Sequence, residues 1–302
     1  MNKYPLKLAP VFKEIIWGGN KLKTDFGKKC DLDKLAESWE LTVRNDGMNV
    51  ITNGEYAGMT LGEYLGDDAE GFPLLIKLID ACDKLSIQVH PNDEYAKKNE
   101  GEYGKTEMWY IVDALPGAKL VYGLKDYDKE TFAKAAVDGT LEKYLNFVDV
   151  HKGDVFFIPS GTVHAIGAGI LIAEIQQSSN VTYRVYDYNR RGADGKLRPL
   201  HVEKALDVIV DYREEDIEKI RFEDGKDDTA IANCKYFKVA HINGDAVIDA
   251  SENFVHVLCL DGKGKIGRYS IKKGDSFFIP AGSKPVKVTG EVEIITSMPK
   301  KA

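Results

Sequence analysis

Four residues in this sequence have the types and spacing to hold a metal ion. The segment SIQVHPNDEYA places Gln88 two residues before His90. In a strand, residues i and i+2 project to the same face, so both side chains can reach one point inside a barrel. EMWYIV opens on Glu107, which as a strand residue projects inward together with Trp109 and Ile111. Further along, Gly153, Pro159, Gly161 and His164 fit the pattern G-x5-P-x-G-x2-H. If these side chains converge, two imidazoles, one carboxylate and one amide oxygen make a hard-to-borderline donor set. It suits Zn2+, one per chain, with Fe2+ or Mn2+ also admitted. Each residue alone reads as structural, because an inward histidine in a barrel is usually a hydrogen-bonded core residue. The conjunction is what points to a metal centre.

The elements that must position these residues carry a repeat. KGDVFFIPSG begins at Lys152 and KGDSFFIPAG at Lys273, 121 residues later, with eight of ten positions identical. Lys-Gly-Asp reads as a turn, the aromatic and branched run as a strand, and Pro-x-Gly as a second turn. Duplication of one β-unit accounts for the match. Position 285, the counterpart of His164, is proline and cannot ligate a metal. The second copy is therefore expected to be metal-free, with His241 and His256 as ordinary barrel residues.

Other short strands surround the copies: FPLLIKLID, KLSIQVH, EMWYIVD, KLVYGL, AGILIAEIQQ and VTYRVYDY near the first, and YFKVAHI, FVHVLCL, PVKVTG and EVEIIT near the second. This is the pattern of an all-β protein with minor helices, built from two barrels. Helical periodicity is confined mainly to DKETFAKAAVDGTLEKYLNF and HVEKALDVIVDYREEDIEKI. The charged run DYREEDIEKIRFEDGKDD reads as a solvated helix and loop between domains. The expected division is a catalytic domain over 1–228 and a smaller one over 229–302.

Composition narrows the partners. Of 302 residues, 43% are hydrophobic and 29% charged, the balance of a soluble globular protein. No apolar run approaches a membrane span, and the first residues lack a signal-peptide core. Cys30, Cys82, Cys234 and Cys259 have no CxxC spacing, which argues against a thiolate zinc site and fits reduced, cytoplasmic thiols. The net charge of −7 disfavours nucleic acid and anionic membranes. A small anion needs only a local basic pocket. Between Arg184 and Arg198, five basic residues (Arg184, Arg190, Arg191, Lys196, Arg198) meet two acidic ones (Asp187, Asp194). Such a loop can grip a phosphate, and Ser86, sharing a face with Gln88, can add a hydroxyl. Trp17, Gly18 and Gly19 read as a packed turn.

G-x5-P-x-G-x2-H is the second motif of the cupin superfamily, whose closing histidine binds metal, so the two barrels are read as cupin (jelly-roll) barrels, the second degenerate. Over nearly the whole chain the sequence resembles one family closely, the type I mannose-6-phosphate isomerases in their short bacterial form. The resemblance rests on IWGGNKL, ESWELTVRNDG, FPLLIKLIDACDKLSIQVHPNDEYA, GKTEMWYIVDA, the turn ending at His164, and IAEIQQSSNVTYRVYDYNR. It implies Gln88, His90, Glu107 and His164 as zinc ligands and Arg184 as a catalytic residue. Two departures stand out. Thr106 replaces the proline of K-P-E, leaving Lys105 in place, and Glu107 and His164 are only 57 positions apart, without the helical insertion of longer members.

The implied substrate is a sugar phosphate and the implied reaction the interconversion of mannose 6-phosphate and fructose 6-phosphate. A proton moves between carbons 2 and 1 through an enediolate, whose charge a metal can stabilise as a Lewis acid. Arg184 stays cationic and can polarise the carbonyl or hold an oxyanion. Lys105, a zinc-bound hydroxide and Glu174 all remain open as the base. Two readings from other classes compete, a cupin dioxygenase and a non-catalytic sugar-binding cupin. Monomer and homodimer are both admitted.

Overall fold

The computed structural model describes residues 2–125, 127–192, 195–221 and 229–300. Leu74–Ala81 and Ile170–Gln177 are eight-residue runs rich in aliphatic side chains, and both are buried at every position. A strand buried on both faces must lie in the middle of stacked layers, and these two do. They pair along their whole length in a six-stranded antiparallel sheet. Its order is Val155–Ile158, Glu107–Ala114, Ile170–Gln177, Leu74–Ala81, Glu37–Leu41 and Val11–Lys13.

Consecutive residues of this sheet point to different cores. Trp109, Ile111, Ile79 and Ile172 pack with Leu120, Ile158 and Ile166 toward a five-stranded sheet. That sheet runs Leu145–Asp149, Lys119–Leu124, His164–Ala165, Ile87–Val89 and Tyr183–Tyr186. Met108, Tyr110, Leu78 and Ala173 pack the other way, against Leu6, Leu258, Leu260, Phe278 and Ile295 of a nine-stranded sheet. Leu6–Ala9 pairs with Ser276–Ile279, so the beginning of the chain is woven into the sheet formed by its end. The outer face of the five-stranded sheet is covered by helices Lys129–Asp138 and Val202–Val208, through Phe132, Ala135, Ala136 and Ala205. Each fully buried Leu, Ile or Phe contributes about 1.5–3 kcal/mol before ordering costs. Among the described residues no helix is long and apolar enough to cross a membrane.

Two local expectations change. The single helical stretch from His201 divides into Val202–Val208 and Glu214–Arg221, because Val210 N donates to Gly161 O and draws the chain out of the helix. The rest of the charged run, with the boundary placed near Asp228, lies outside the described residues. PVKVTG and EVEIIT form one strand, Val286–Pro299; Gly290 pairs with Gly264, so the residue that punctuates the sequence continues the ladder.

The two copies of the repeat fold alike, bond for bond. Gly153 N donates to Ile111 O, and Gly274 N donates to Cys259 O. Asp154 Oδ2 accepts from His151 N, and Asp275 Oδ2 accepts from Lys272 N. Gly161 N donates to His90 O, and Gly282 N donates to Ala250 O. In register, Ile158 faces Glu107 and Ile279 faces Val255. The counterparts of His90, Glu107 and His164 are therefore Ala250, Val255 and Pro285.

Candidate metal centre and active-site cavity

The site forms where two rows of cross-strand neighbours face each other. In the five-stranded sheet, Gln88 stands between His164 on one side and Arg184 on the other. In the six-stranded sheet, Glu107 pairs with Gln176, Trp109 with Glu174, and Glu174 with Lys77, which puts one set of side chains on one face. Gly161 shapes the approach to His164. Its φ of +94° suits glycine alone, and a Cβ there would meet Val210 Cγ2 at 2.7 Å and Val208 O at 2.9 Å. The turn therefore delivers His164 three residues later, fully buried.

His164 Nε2 lies 3.3 Å from Glu107 Oε1, and His90 Nε2 lies 3.7 Å from Glu107 Oε2. Gln88 Nε2 lies 3.4 Å from His164 Nε2, and turning the amide brings Oε1 to the same place. Each imidazole is locked from behind. His90 Nδ1 donates to Val181 O and His164 Nδ1 to Thr162 O, both at 2.8 Å. Those bonds fix the tautomer and leave the two Nε2 lone pairs facing the centre. Burial holds both histidines neutral, pushing His164 down to about 4 and His90 well below its ordinary value.

Lys105 Nζ stands 2.6 Å from Glu107 Oε2 and 3.2 Å from His90 Nε2. The Thr106 departure has a visible consequence. Thr106 N donates to Gln177 Oε1 at 2.9 Å, a bond proline could not make, and this pins the loop in front of Glu107.

Outward from the donors opens a cavity of about 300 Å3 lined by Ser86, Gln88, Lys105, Arg184, Glu37, Lys77, Glu174, Arg198 and the apolar wall of Trp17, Ile79 and Leu85. Glu174, whose facing was undecidable from the sequence, points inward. Its Oε2 accepts from Trp109 Nε1 at 3.1 Å, while Oε1 lies 3.3 Å from Lys77 Nζ and 3.8 Å from Lys105 Nζ. Burial opposes the Glu174 charge, but Lys105 and Lys77 outweigh it and hold the group low. Glu107 is pushed up to about 7 by burial and by Glu174.

Arg184 donates through Nη1 to Pro199 O at 2.9 Å. Ser86 is buried beside it in the wall. Arg190 and Arg191, expected at the phosphate, stand outside this lining: Arg190 binds Lys84 O and Asp187, and Arg191 binds Gly195 O. The basic run supplies Arg198 instead. Lys77 and Glu37 had no sequence signal, because each sits in a strand whose facing the polarity pattern does not reveal. Trp17 lines the cavity as well as packing, and Gly18 lies so close to Ala36 that a Cβ would come within 2.5 Å.

The donor set fits a divalent cation. Ligands each about 2.0–2.1 Å from one tetrahedral zinc lie roughly 3.3–3.5 Å from one another, and the Nε2–Oε separations bracket that range. His90, Glu107 and His164 offer ligand atoms all within 4.8 Å of one another. Among the described residues neither oxygen of Glu107 receives a well-directed hydrogen bond, although Lys105 is close, so a fully buried carboxylate keeps acceptor capacity for a cation.

A buried group of two histidines and one carboxylate that could hold a metal ion, beneath a basic rim in a mostly β protein, is the constellation of a metal-dependent enzyme. Residues 6–119 match "Phosphomannose isomerase type I, catalytic domain", and residues 227–299 match "Mannose-6-phosphate isomerase, cupin domain". The chain is 41% identical to mannose-6-phosphate isomerase ManA of Bacillus subtilis, over 98% of this chain and 99% of that one. It is 36% identical to the mannose-6-phosphate isomerase of Streptococcus mutans, over 97% and 98%. The crystal structure of mannose 6-phosphate isomerase from Bacillus subtilis superposes with a TM-score of 0.85 at 34% identity, covering 98% and 99%. The chain belongs to the type I mannose-6-phosphate isomerase family. Membership sets aside the dioxygenase and the non-catalytic binder.

Proposed function

We propose that this chain interconverts mannose 6-phosphate and fructose 6-phosphate with one zinc ion held by His90, Glu107, His164 and Gln88. The observation that carries this reading is the meeting of two back-locked imidazoles with the under-bonded Glu107 carboxylate behind Gln88 and Lys105, which line a basic-rimmed cavity. When bound, zinc supplies Lewis-acid stabilisation of negative charge on the sugar oxygens.

The chain's own residues do the rest. Arg184 stabilises charge on a sugar oxygen as the enediolate forms, with its guanidinium steadied on Pro199 O. Lys105 and Glu174, which both line the cavity with charged atoms 3.8 Å apart, are the candidates to move the proton between carbons 2 and 1. Lys77, which also pairs with Glu37, holds Glu174 in place and completes the charge balance. Ser86 and the basic rim take the phosphate end, and the Trp17–Ile79–Leu85 wall excludes water from the carbanionic centre.

We also read residues 229–302, with Leu6–Ala9, as a second cupin-like barrel that has lost its metal. Ala250, Val255 and Pro285 at the three donor positions support this.

Elemental analysis together with a coupled assay for fructose 6-phosphate tests the function. The expected result is about one zinc per chain and activity abolished by chelation and restored by Zn2+. An active enzyme without a divalent metal would overturn the reading.

A further inference from the structure

The carboxylate of Asp187 takes no part in the chemistry above, yet it organises one wall of the cavity. Asp187 directly follows Tyr183–Tyr186 and is only 4% exposed. Its Oδ2 accepts from Arg198 Nε at 2.6 Å, and its Oδ1 accepts from Arg198 Nη2 at 2.5 Å and Arg190 Nη2 at 2.7 Å. Burial opposes this charge, but the bonds from Arg198 and Arg190 outweigh it and hold the carboxyl below its ordinary range. Arg190 also donates to Lys84 O, with the more exposed Asp83 carboxylate 3.4 Å away, so the network closes on the segment that leads into Ser86. On the other side, the carbonyl of Pro199, next to Arg198, accepts from Arg184.

The backbone beside this carboxylate is strained. Tyr188 and Asn189 both have φ of +55° without being glycine. Such conformations persist only where the surroundings enforce them, and they gather at functional sites. Here Arg190 N donates to Asp187 O, and the Tyr188 ring lies 3.6 Å below the Lys84 ammonium and 5.3 Å from the Arg190 guanidinium. One edge of Arg198 is spent on Asp187, while its Nη1 makes no hydrogen bond among the described residues and the side chain lines the cavity. Arg184 lines the same wall, and Arg198 works against its charge while Asp187 supports it. Two guanidiniums on one wall, of which only Arg198 is bonded to the Asp187 carboxylate, leave room for an anionic ligand.

We propose that Asp187 is a positioning residue that fixes Arg198 at the cavity wall to take the phosphate of the sugar phosphate, leaving Arg184 for the sugar oxygens. This rests on the function proposed above and assigns the phosphate subsite to Arg198 rather than to Arg190 or Arg191.

Calorimetric titration of the metal-loaded full chain with inorganic phosphate gives a readout independent of turnover. Asp187→Asn and Arg198→Gln should each weaken phosphate binding about tenfold or more. The double variant should be no weaker than Arg198→Gln alone, because the two side chains act as one unit. KM for mannose 6-phosphate should rise in step, with kcat changing less. Phosphate affinity within twofold of the wild type in either folded single variant overturns the assignment, as do losses that add in the double variant. If Asp187→Asn does not fold, Arg198→Gln decides alone, its side chain being 21% exposed. A wild type that binds phosphate through Arg198 but does not isomerise mannose 6-phosphate defeats the proposed function and leaves this assignment standing.

Discussion

Arg184 enters the cavity wall with Nη1 committed to Pro199 O and with a buried Nε that has no hydrogen-bond partner among the described residues. A guanidinium held by one corner presents a planar, permanently charged fork to the sugar. Arg184→Lys keeps the charge and loses the fork. Turnover should then fall by on the order of a hundredfold or more, as when one oxyanion donor is removed, while metal analysis still finds zinc. If steady-state kinetics instead show a raised KM with kcat intact, Arg184 only grips the ground state. His164 makes the complementary case. Its ring contacts Glu107, Gln88 and Trp109 and is wholly buried, so His164→Ala removes a donor that nothing nearby can replace. Metal affinity should drop a hundredfold or more and activity should be nearly lost, since even outer-shell partners are worth about 10–100-fold. Stoichiometric zinc and normal turnover in this variant would mean that the centre lies elsewhere.

At the scale of elements, the positions of the donors were readable where short polar signatures fix facing. Gln88 and His90 announce their shared face by their spacing, and Glu107 is oriented by Trp109 and Ile111, both of which pack into the core between the two smaller sheets. Lys77 and Glu174 were not readable in this way. Leu74–Ala81 and Ile170–Gln177 are buried on both faces, so hydrophobicity does not alternate, and a charged residue among aliphatics could face either core. The charge count over 184–198 located a basic rim but could not tell which arginines are consumed internally; that depends on Asp187. The turn at Gly161 was legible from Pro-x-Gly, and it yields a prediction for the element. Gly161→Ala forces a Cβ into Val210 and an unfavourable φ. Destabilisation of about 1–3 kcal/mol is expected in urea unfolding. Metal affinity should weaken as well, because the same turn aims His164. An alanine variant of wild-type stability and metal content would show that the turn is not what positions the histidine.

Across the whole molecule, the six-stranded sheet has one face on the cavity and the other on the nine-stranded sheet, so a polar tie on the far face acts on stability without touching the cavity residues. Tyr110, opposite in facing to Trp109, donates to Glu293 Oε1 at 3.0 Å and stacks on His241. A more deeply buried tie joins Lys28 to Glu40 at 2.6 Å, with Lys28 Nζ also donating to Gly274 O in the second copy's turn and Ser38 Oγ donating to Glu40. Glu40 is fully buried, and its Oε2 has no hydrogen bond among the described residues. Coulomb attraction in such a place is largely cancelled by desolvation, so the pair need not add net stability. Removing one partner is another matter, because it strands the other charge. Lys28→Met should cost about 3–5 kcal/mol, seen as an earlier urea midpoint. The double variant Lys28→Met/Glu40→Leu, which buries no lone charge, should recover most of that loss. Zinc content and kcat should stay within a few-fold in both variants, since Ser38 and Glu40 face away from the cavity that Glu37 lines. A double variant as unstable as Lys28→Met would show that the ion pair, rather than the avoidance of a stranded carboxylate, holds the N-terminal segment to the second copy's turn.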